Sequence, residues 1–240
     1  MNESLLSVVI PCKNEEKYLF SILNGLENQS FDMQNVPVYI ADADSTDESP
    51  NIINKFRKHS KMDIQIVEGG YPPKGRNNGA SHCKSKYILF MDADIEPGEQ
   101  STIQKSIELA EANDLDLVST FIKCKDGNIY DKVFWEKVHG FTYRYPQILG
   151  PFAAGMFILI KREKFHELGG FNEKMVLGDD WELTHKIQRD KFGVADTYIW
   201  TTNRRFKKSG YIKTVGQYLM IAMSKEYRNK GHRSYMHVEY

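Results

Sequence analysis

The sequence predicts an α/β fold on a mostly parallel, doubly wound sheet flanked by helices, and three observations carry that prediction. Short apolar runs rich in β-branched residues alternate with stretches whose apolar residues fall at helical spacing. Each early run ends in a cluster of polar residues. The chain of 240 residues, 41% apolar and 27% charged, is long enough to bury a substantial core.

In chain order, residues 5–10 form a first buried strand, ended by Pro11. Residues 15–28 carry Tyr18, Leu19, Ile22, Leu23 and Leu26 at helical spacing. A second strand over 36–41 stops at the polar cluster 42–49, and a helix follows through Ile52, Ile53 and Phe56. A third strand over 64–67 runs into a loop over 69–73. A helix over 77–84 and a strongly apolar strand over 87–91 complete a βαβαβαβ alternation. Beyond Pro97 the pattern predicts a helix to about residue 112, a strand over 115–121 and an irregular aromatic stretch over 126–150. A strand over 156–160, a helix over 162–168 closed by Gly169-Gly170, and a helix over 181–189 come next. From residue 203 the chain is basic, and no repeat, low-complexity segment or linker interrupts it.

Composition excludes several classes. Lys plus Arg equals Asp plus Glu at 32 each, so no net charge favours nucleic acid as a partner. Cys12, Cys83 and Cys124 lie far apart, without the spacing of a disulfide framework or a zinc site. The N-terminus lacks a basic leader and a small-residue cleavage site, and the apolar stretch over 218–223 is too short to span a bilayer. These features predict a cytoplasmic protein, with peripheral contact at the inner face of a membrane left open.

In parallel sheets, ligands bind at the carboxyl ends of the strands. Asp42, Asp44, Asp92 and Asp94 all follow strand ends here, and the first strand exits into Lys13, Asn14 and Glu15. Asp92-Ala93-Asp94 is the sharpest feature, because two carboxylates just past a buried strand suit a hard divalent cation, Mg²⁺ or Mn²⁺, that stabilises a leaving diphosphate. Taken alone, an Asp-x-Asp is more often an ordinary acidic turn.

Six segments in order give the sequence a resemblance to the family 2 glycosyltransferases of GT-A fold. They are Ser7-Val8-Val9-Ile10-Pro11-Cys12-Lys13-Asn14-Glu15-Glu16, Ile40-Ala41-Asp42-Ala43-Asp44-Ser45-Thr46-Asp47, Gly75-Arg76-Asn77-Asn78-Gly79-Ala80, the Asp92–Asp94 strand end, Gly169-Gly170-Phe171-Asn172-Glu173 and Gly178-Asp179-Asp180-Trp181-Glu182-Leu183. The resemblance implies a Rossmann-like GT-A domain over 1–240, with a nucleotide-sugar half over 1–97 and an acceptor half over 98–240. It implies an inverting transfer from a nucleoside diphosphate sugar, UDP-linked in the favoured reading, to a sugar or glycolipid hydroxyl. Pro11, Lys13, Glu15, Asp42, Asp44, Arg76, Asp92 and Ala93 then fall on the donor nucleotide, Asp94 with Asp92 on the Mn²⁺ or Mg²⁺, and Asp180 at the catalytic base. Asp179, Trp181, Gly155, Arg204 and Arg205 fall on the acceptor or phosphate side.

The sequence departs from the family pattern at Asp42-Ala43-Asp44, where two adjacent acids are usual, and at Asp179-Asp180, where Glu-Asp is usual. Residues 188–192 do not match the Gln-x-x-Arg-Trp signature of processive synthases, which predicts a single transfer. Structural alternatives stay open: Glu15 or Asp42 as helix caps, the Asp179-Asp180 pair as complement to a helix dipole, Trp181 as packing, and Arg204-Arg205 as a solvated tail. Two other functions compete. A sugar-phosphate nucleotidyltransferase would carry a glycine-rich loop after the first strand, which this sequence lacks, and a non-catalytic nucleotide-sugar binder would have lost Asp94 or Asp180.

Overall fold

A computed structural model of the chain describes residues 4–175, 177–211, 213, 214, 216, 217 and 220. The stretch over 218–223, apart from Met220, lies outside the described residues, as does the side chain of Arg205.

Eight strands form one sheet: β1 (Leu6–Cys12), β2 (Pro37–Asp42), β3 (Asp63–Glu68), β4 (Tyr87–Phe90), β5 (Glu96–Pro97), β6 (Leu117–Cys124), β7 (Ile158–Lys161) and β8 (Phe192–Thr201). Their spatial order is β3-β2-β1-β4-β7-β6-β8-β5. The β3-β2-β1-β4 block is parallel throughout, as the alternation predicts. β7 then runs antiparallel to both β4 and β6, β8 is parallel to β6, and β5 is antiparallel to β8. The sheet is therefore mixed, with the parallel character confined to two regions. Its core lies on both faces, as the two-residue period of a strand requires. Along β1, Leu6, Val8 and Ile10 enter one apolar cluster while Val9 enters the other.

Helices α1 (Leu19–Glu27), α2 (Ser49–Phe56), α3 (Pro72–Ser81) and α4 (Thr102–Ala112) connect the early strands. After β6 the chain runs through α5 (Ile129–Val133), a π-helical turn (Phe134–His139), α6 (Gly140–Arg144) and α7 (Pro146–Leu149). After β7 come α8 (Arg162–Glu167), α9 (Asp179–Thr184), a 3₁₀ turn (Arg189–Lys191) and, past β8, α10 (Arg204–Ser209).

Several elements differ from the sequence reading. β1 continues through Pro11, because the strand has already left β4 after Val9 and the missing N–H faces that vacated side rather than β2. The first helix begins at Leu19 rather than residue 15, since Glu15 O closes a turn onto the Tyr18 and Leu19 amides. Pro72 and Pro73 begin α3 instead of belonging to a loop, a position where a missing N–H leaves no helical bond unmade. The stretch over 126–150 is helical rather than irregular, and Asn128 caps its start with a reciprocal bond from its own amide to Asp131. The helix over 181–189 is shorter, ending at Thr184. The sequence reading omitted β8, although its alternating burial is a regular strand pattern.

α3 is pressed tightly against the sheet. A Cβ on Gly79 would stand 2.4 Å from Val9 Cγ1, so only glycine lets the helix approach β1 this closely. That approach carries Arg76, three residues earlier and about one helical turn away, to the strand ends.

Candidate active site

The exits of β1 and β2 are sewn together before any ligand is considered. The Asn14 amide donates to Ser45 Oγ and the Glu15 amide to Ser49 Oγ, both at 2.9 Å, while the Thr46 amide donates to Asn14 Oδ1 at 2.9 Å. Lys13 Nζ donates to the carbonyls of Ala43 and Asp44, so its charge secures the second loop. Asp42 accepts from Ser45 Oγ and, at 3.1 Å, from the Ser45 amide. This is a turn built on its own loop rather than a cap on α2, whose N-cap position is Glu48. Asp44 sits in the left-handed region at φ 57°.

Two arginines dominate the electrostatics. Arg76 is buried, and its Nη2 donates to Asp92 Oδ1 at 2.6 Å while its Nη1 donates to Asp179 Oδ2 at 2.9 Å. One planar guanidinium thus ties the end of β4 to the start of α9. Burial disfavours its charge, but Asp92, Asp179 and Asp180 together outweigh that and hold its pKa above the ordinary value. Arg204, at the start of α10, forms a two-pronged pair with Glu15, Nη1 to Oε2 at 2.9 Å and Nη2 to Oε1 at 2.8 Å. Its Nε lies 3.0 Å from Asp94 Oδ2. Glu15 therefore serves Arg204 with its carboxylate and the turn into α1 with its carbonyl, and Arg204 is not a solvated tail.

The carboxylates respond to this setting. Burial pushes Asp94 up to about 6, with Arg204 opposing and the neighbouring Asp92 and Glu15 adding to the rise. Burial likewise raises Asp179, Arg76 opposes, and Asp180 and Asp92 add to it. Asp179 is buried against Arg76, whereas Asp180 is partly exposed. Asp180 Oδ2 accepts from the Gly155 amide at 2.9 Å and its Oδ1 from the Trp181 amide at 2.7 Å. Trp181 stacks on His185 with ring centroids 3.8 Å apart, so one indole face is already covered.

The site residues named from the sequence gather into two linked groups. Arg76, Asp92, Asp179, Asp180 and Gly155 form one, and Glu15, Asp94 and Arg204 the other, with Asp92-Ala93-Asp94 as the shared link. Pro11, Lys13, Asp42 and Asp44 line the adjoining β1 and β2 exits. Sequence reasoning missed Ser45 and Ser49, which hold the two loops, and it placed Tyr143 only within an acceptor-side aromatic stretch, without the role of its hydroxyl, which accepts from the Ala154 amide at 3.2 Å. Ser45 and Ser49 stood inside a quoted polar cluster. Nothing local marks Tyr143.

Gly155 has a packing role that its neighbours in sequence do not reveal. A Cβ there would lie 2.6 Å from Arg76 Nη2, which is pinned by two carboxylates and cannot yield. Gly155→Ala is expected to cost about 1–3 kcal/mol and lower Tm by roughly 2–12 °C, measured by thermal denaturation.

Among the described residues no group of three or more His, Cys, Asp or Glu is arranged to enclose a metal ion. Mg²⁺ and Mn²⁺ do not need one when a substrate diphosphate supplies part of the shell. Asp92 and Asp94 offer hard oxygen donors, and burial keeps the Asp94 carboxyl above its ordinary range even beside Arg204. The donor set fits a hard divalent cation.

The family model for glycosyl transferase family 2 matches residues 7–169. A poly(ribitol-phosphate) β-N-acetylglucosaminyltransferase, TarS of Staphylococcus aureus, is 33% identical over 90 residues, or 37% of this chain. The matched stretch spans only 16% of that relative's length. Among solved structures, S. aureus TarS in complex with UDP-GlcNAc superposes with a TM-score of 0.64 at 19% identity, covering 82% of this chain and 58% of the other. A mannosyltransferase from Pyrobaculum calidifontis in complex with GDP-Man and Mn²⁺ gives a TM-score of 0.74 at 17% identity, covering 95% of this chain and 65% of the other. At these identities the likeness establishes the GT-A fold.

Proposed function

The chain belongs to glycosyl transferase family 2, and on that premise we propose that it is a cation-dependent, inverting transferase. It moves a sugar from a UDP-sugar to a hydroxyl acceptor in surface polysaccharide or glycolipid synthesis. The observation that carries this reading is the Arg76 bridge, whose single guanidinium joins the Asp92 carboxylate to Asp179, the residue next to Asp180. A donor-side acid and an acceptor-side base are required within one cleft by any direct displacement at an anomeric carbon. TarS, with its UDP-GlcNAc complex, supports the UDP donor and a polymer acceptor; the mannosyltransferase complex with Mn²⁺ supports the cation.

In this reading residues 1–97 bind the nucleotide sugar and 98–240 the acceptor. Pro11, Lys13, Asp42 and Asp44 shape the nucleoside end. Asp94 and Asp92 hold the cation, which when bound supplies Lewis-acid neutralisation of the leaving diphosphate. Asp180 takes the proton from the acceptor hydroxyl, its carboxylate aimed by the Gly155 amide. Asp179, engaged by Arg76, positions the start of α9 and is not itself the base.

Calorimetric titration with UDP-GlcNAc and GDP-Man, each with and without Mn²⁺, tests the reading. Binding of UDP-GlcNAc that depends on Mn²⁺ is the expected result. Neither heat nor donor hydrolysis under any of these conditions overturns it, and release of pyrophosphate from a nucleoside triphosphate would favour the nucleotidyltransferase instead.

Asp94→Asn separates stability from binding. The carboxyl is held at about 6 in the folded chain against an ordinary 3.8. Because the folded pKa is raised, the folded state binds the proton more tightly, and this group's contribution declines as pH rises from about 4 to about 6. A neutral amide avoids that cost, so the variant is expected to gain on the order of 2 kcal/mol at neutral pH while Mn²⁺-dependent donor binding is lost. Melting curves and calorimetry on one preparation check both signs.

A further inference from the structure

Seven of the eleven large apolar side chains exposed among the described residues fall within residues 129–149, the helical stretch from α5 to α7. Five of them, Tyr130, Val133, Phe141, Tyr145 and Ile148, recur together with the exposed Lys137 at intervals of three or four through these successive short helical segments. Asp131, Trp135 and Tyr143, spaced at four and eight, are buried on the other side. A helix apolar on both sides has two faces to cover, and the protein covers one. Tyr130 is 72% exposed and Ile148 71%, far beyond the scatter of a single surface hydrophobe.

Charge on the outward side narrows the occupant. Lys132, Lys137 and Arg144 are exposed there, and Glu136 is the one acid among the exposed residues of this stretch. Apolar and aromatic side chains interleaved with cations suit the boundary of a bilayer carrying anionic headgroups. A twofold contact with a second copy would set this positive strip against itself. The strip also adjoins the reaction centre. Tyr143, on the inward side of the same helix, accepts from the Ala154 amide, and the next amide, that of Gly155, donates to Asp180.

We propose that residues 129–149 form a membrane-docking strip that seats the protein on an anionic bilayer and presents the Asp180 side of the cleft to an acceptor hydroxyl carried on a lipid. The lipid-linked acceptor rests on the transferase reading above; the docking itself does not.

The test is flotation of the full chain with vesicles of phosphatidylcholine, with and without phosphatidylglycerol, beside Mn²⁺-dependent UDP-GlcNAc binding in solution. Flotation with the anionic vesicles alone is expected. Ile129→Glu and Ile148→Glu should each lower partitioning on the order of tenfold. Lys132→Glu with Lys137→Glu should weaken it in a salt-dependent way, and donor binding in solution should stay unchanged in all these variants. Failure to float, equal flotation with neutral vesicles, or lipid-free dimers abolished by the same substitutions would each overturn the docking proposal. Loss of donor binding in the unmodified chain would overturn the transferase reading and leave the flotation result standing.

Discussion

Asp180→Asn is expected to lower sugar transfer by about 10²–10⁴-fold, the usual contribution of a positioned general base, while donor affinity changes no more than a few fold. The substitution is nearly isosteric. An asparagine keeps one oxygen for the Gly155 amide, now received by Asp180 Oδ2 at 2.9 Å, but has no basic lone pair for a hydroxyl proton. It loses the second acceptor that serves the Trp181 amide, a part-buried bond within the first turn of α9. The donor contacts proposed for Asp92, Asp94 and Lys13 are untouched. The informative measurement is therefore the split between turnover and donor binding. Turnover equal to that of the unmodified chain would remove Asp180 from the mechanism; a parallel collapse of donor binding would assign it a structural role. Asp179→Asn serves as the contrast. Asp179 is buried and paired with Arg76, so its loss is expected in stability as well as rate.

The largest stability effect is expected at Arg76. Among the described residues its guanidinium is the single cation hydrogen-bonded to both Asp92 and Asp179, at 2.6 and 2.9 Å. Arg76→Ala leaves the buried Asp179 carboxylate without its pairing cation, and breaking a buried pair from one side costs about 3–5 kcal/mol. For a chain of this size that corresponds to a fall in Tm of roughly 6–20 °C. Arg76→Lys is expected to rescue only part of the loss, because one ammonium cannot reproduce the planar fork that reaches both acids. The deficit also has a pH signature. Burial already raises Asp179 while Arg76 opposes that rise. Without Arg76 the folded pKa climbs further above the unfolded value, so the variant's stability falls as pH rises through the interval between them. The gap in Tm between the unmodified chain and Arg76→Ala is expected to be wider at pH 8 than at pH 5. A constant gap would show that lost packing, including the contact of Arg76 over the Phe171 ring, outweighs charge.

Most of the nucleotide-side architecture was legible because its signals are local. A buried strand shows itself as a short, largely apolar run, and Leu6–Cys12, Pro37–Asp42 and Tyr87–Phe90 all did. The carboxylates at strand exits followed from the rule that parallel sheets bind ligands there. The aromatic stretch was harder to read because its outward side is as apolar as its inward side, so the amphipathic contrast that marks a surface helix is missing. β8 was overlooked for a different reason. Its sequence, Phe192-Gly193-Val194-Ala195-Asp196-Thr197-Tyr198-Ile199-Trp200-Thr201, interrupts the apolar pattern with Gly193 and Asp196. A register shift against β6 between Thr120 and Phe121 accommodates the irregularity.

By itself the sequence determined the early alternation of strands and helices and the placement of acids at the strand exits, because each depends on neighbours in the chain. Only the tertiary structure decided which charges meet. Arg76 pairs with Asp179 across 103 residues and Arg204 with Glu15 across 189. No local propensity encodes such a pairing. It exists because Gly79 lets α3 approach β1, Gly155 leaves room for the guanidinium, and α10 returns over the first loop, so that packing of apolar surface sets the positions from which the ions act.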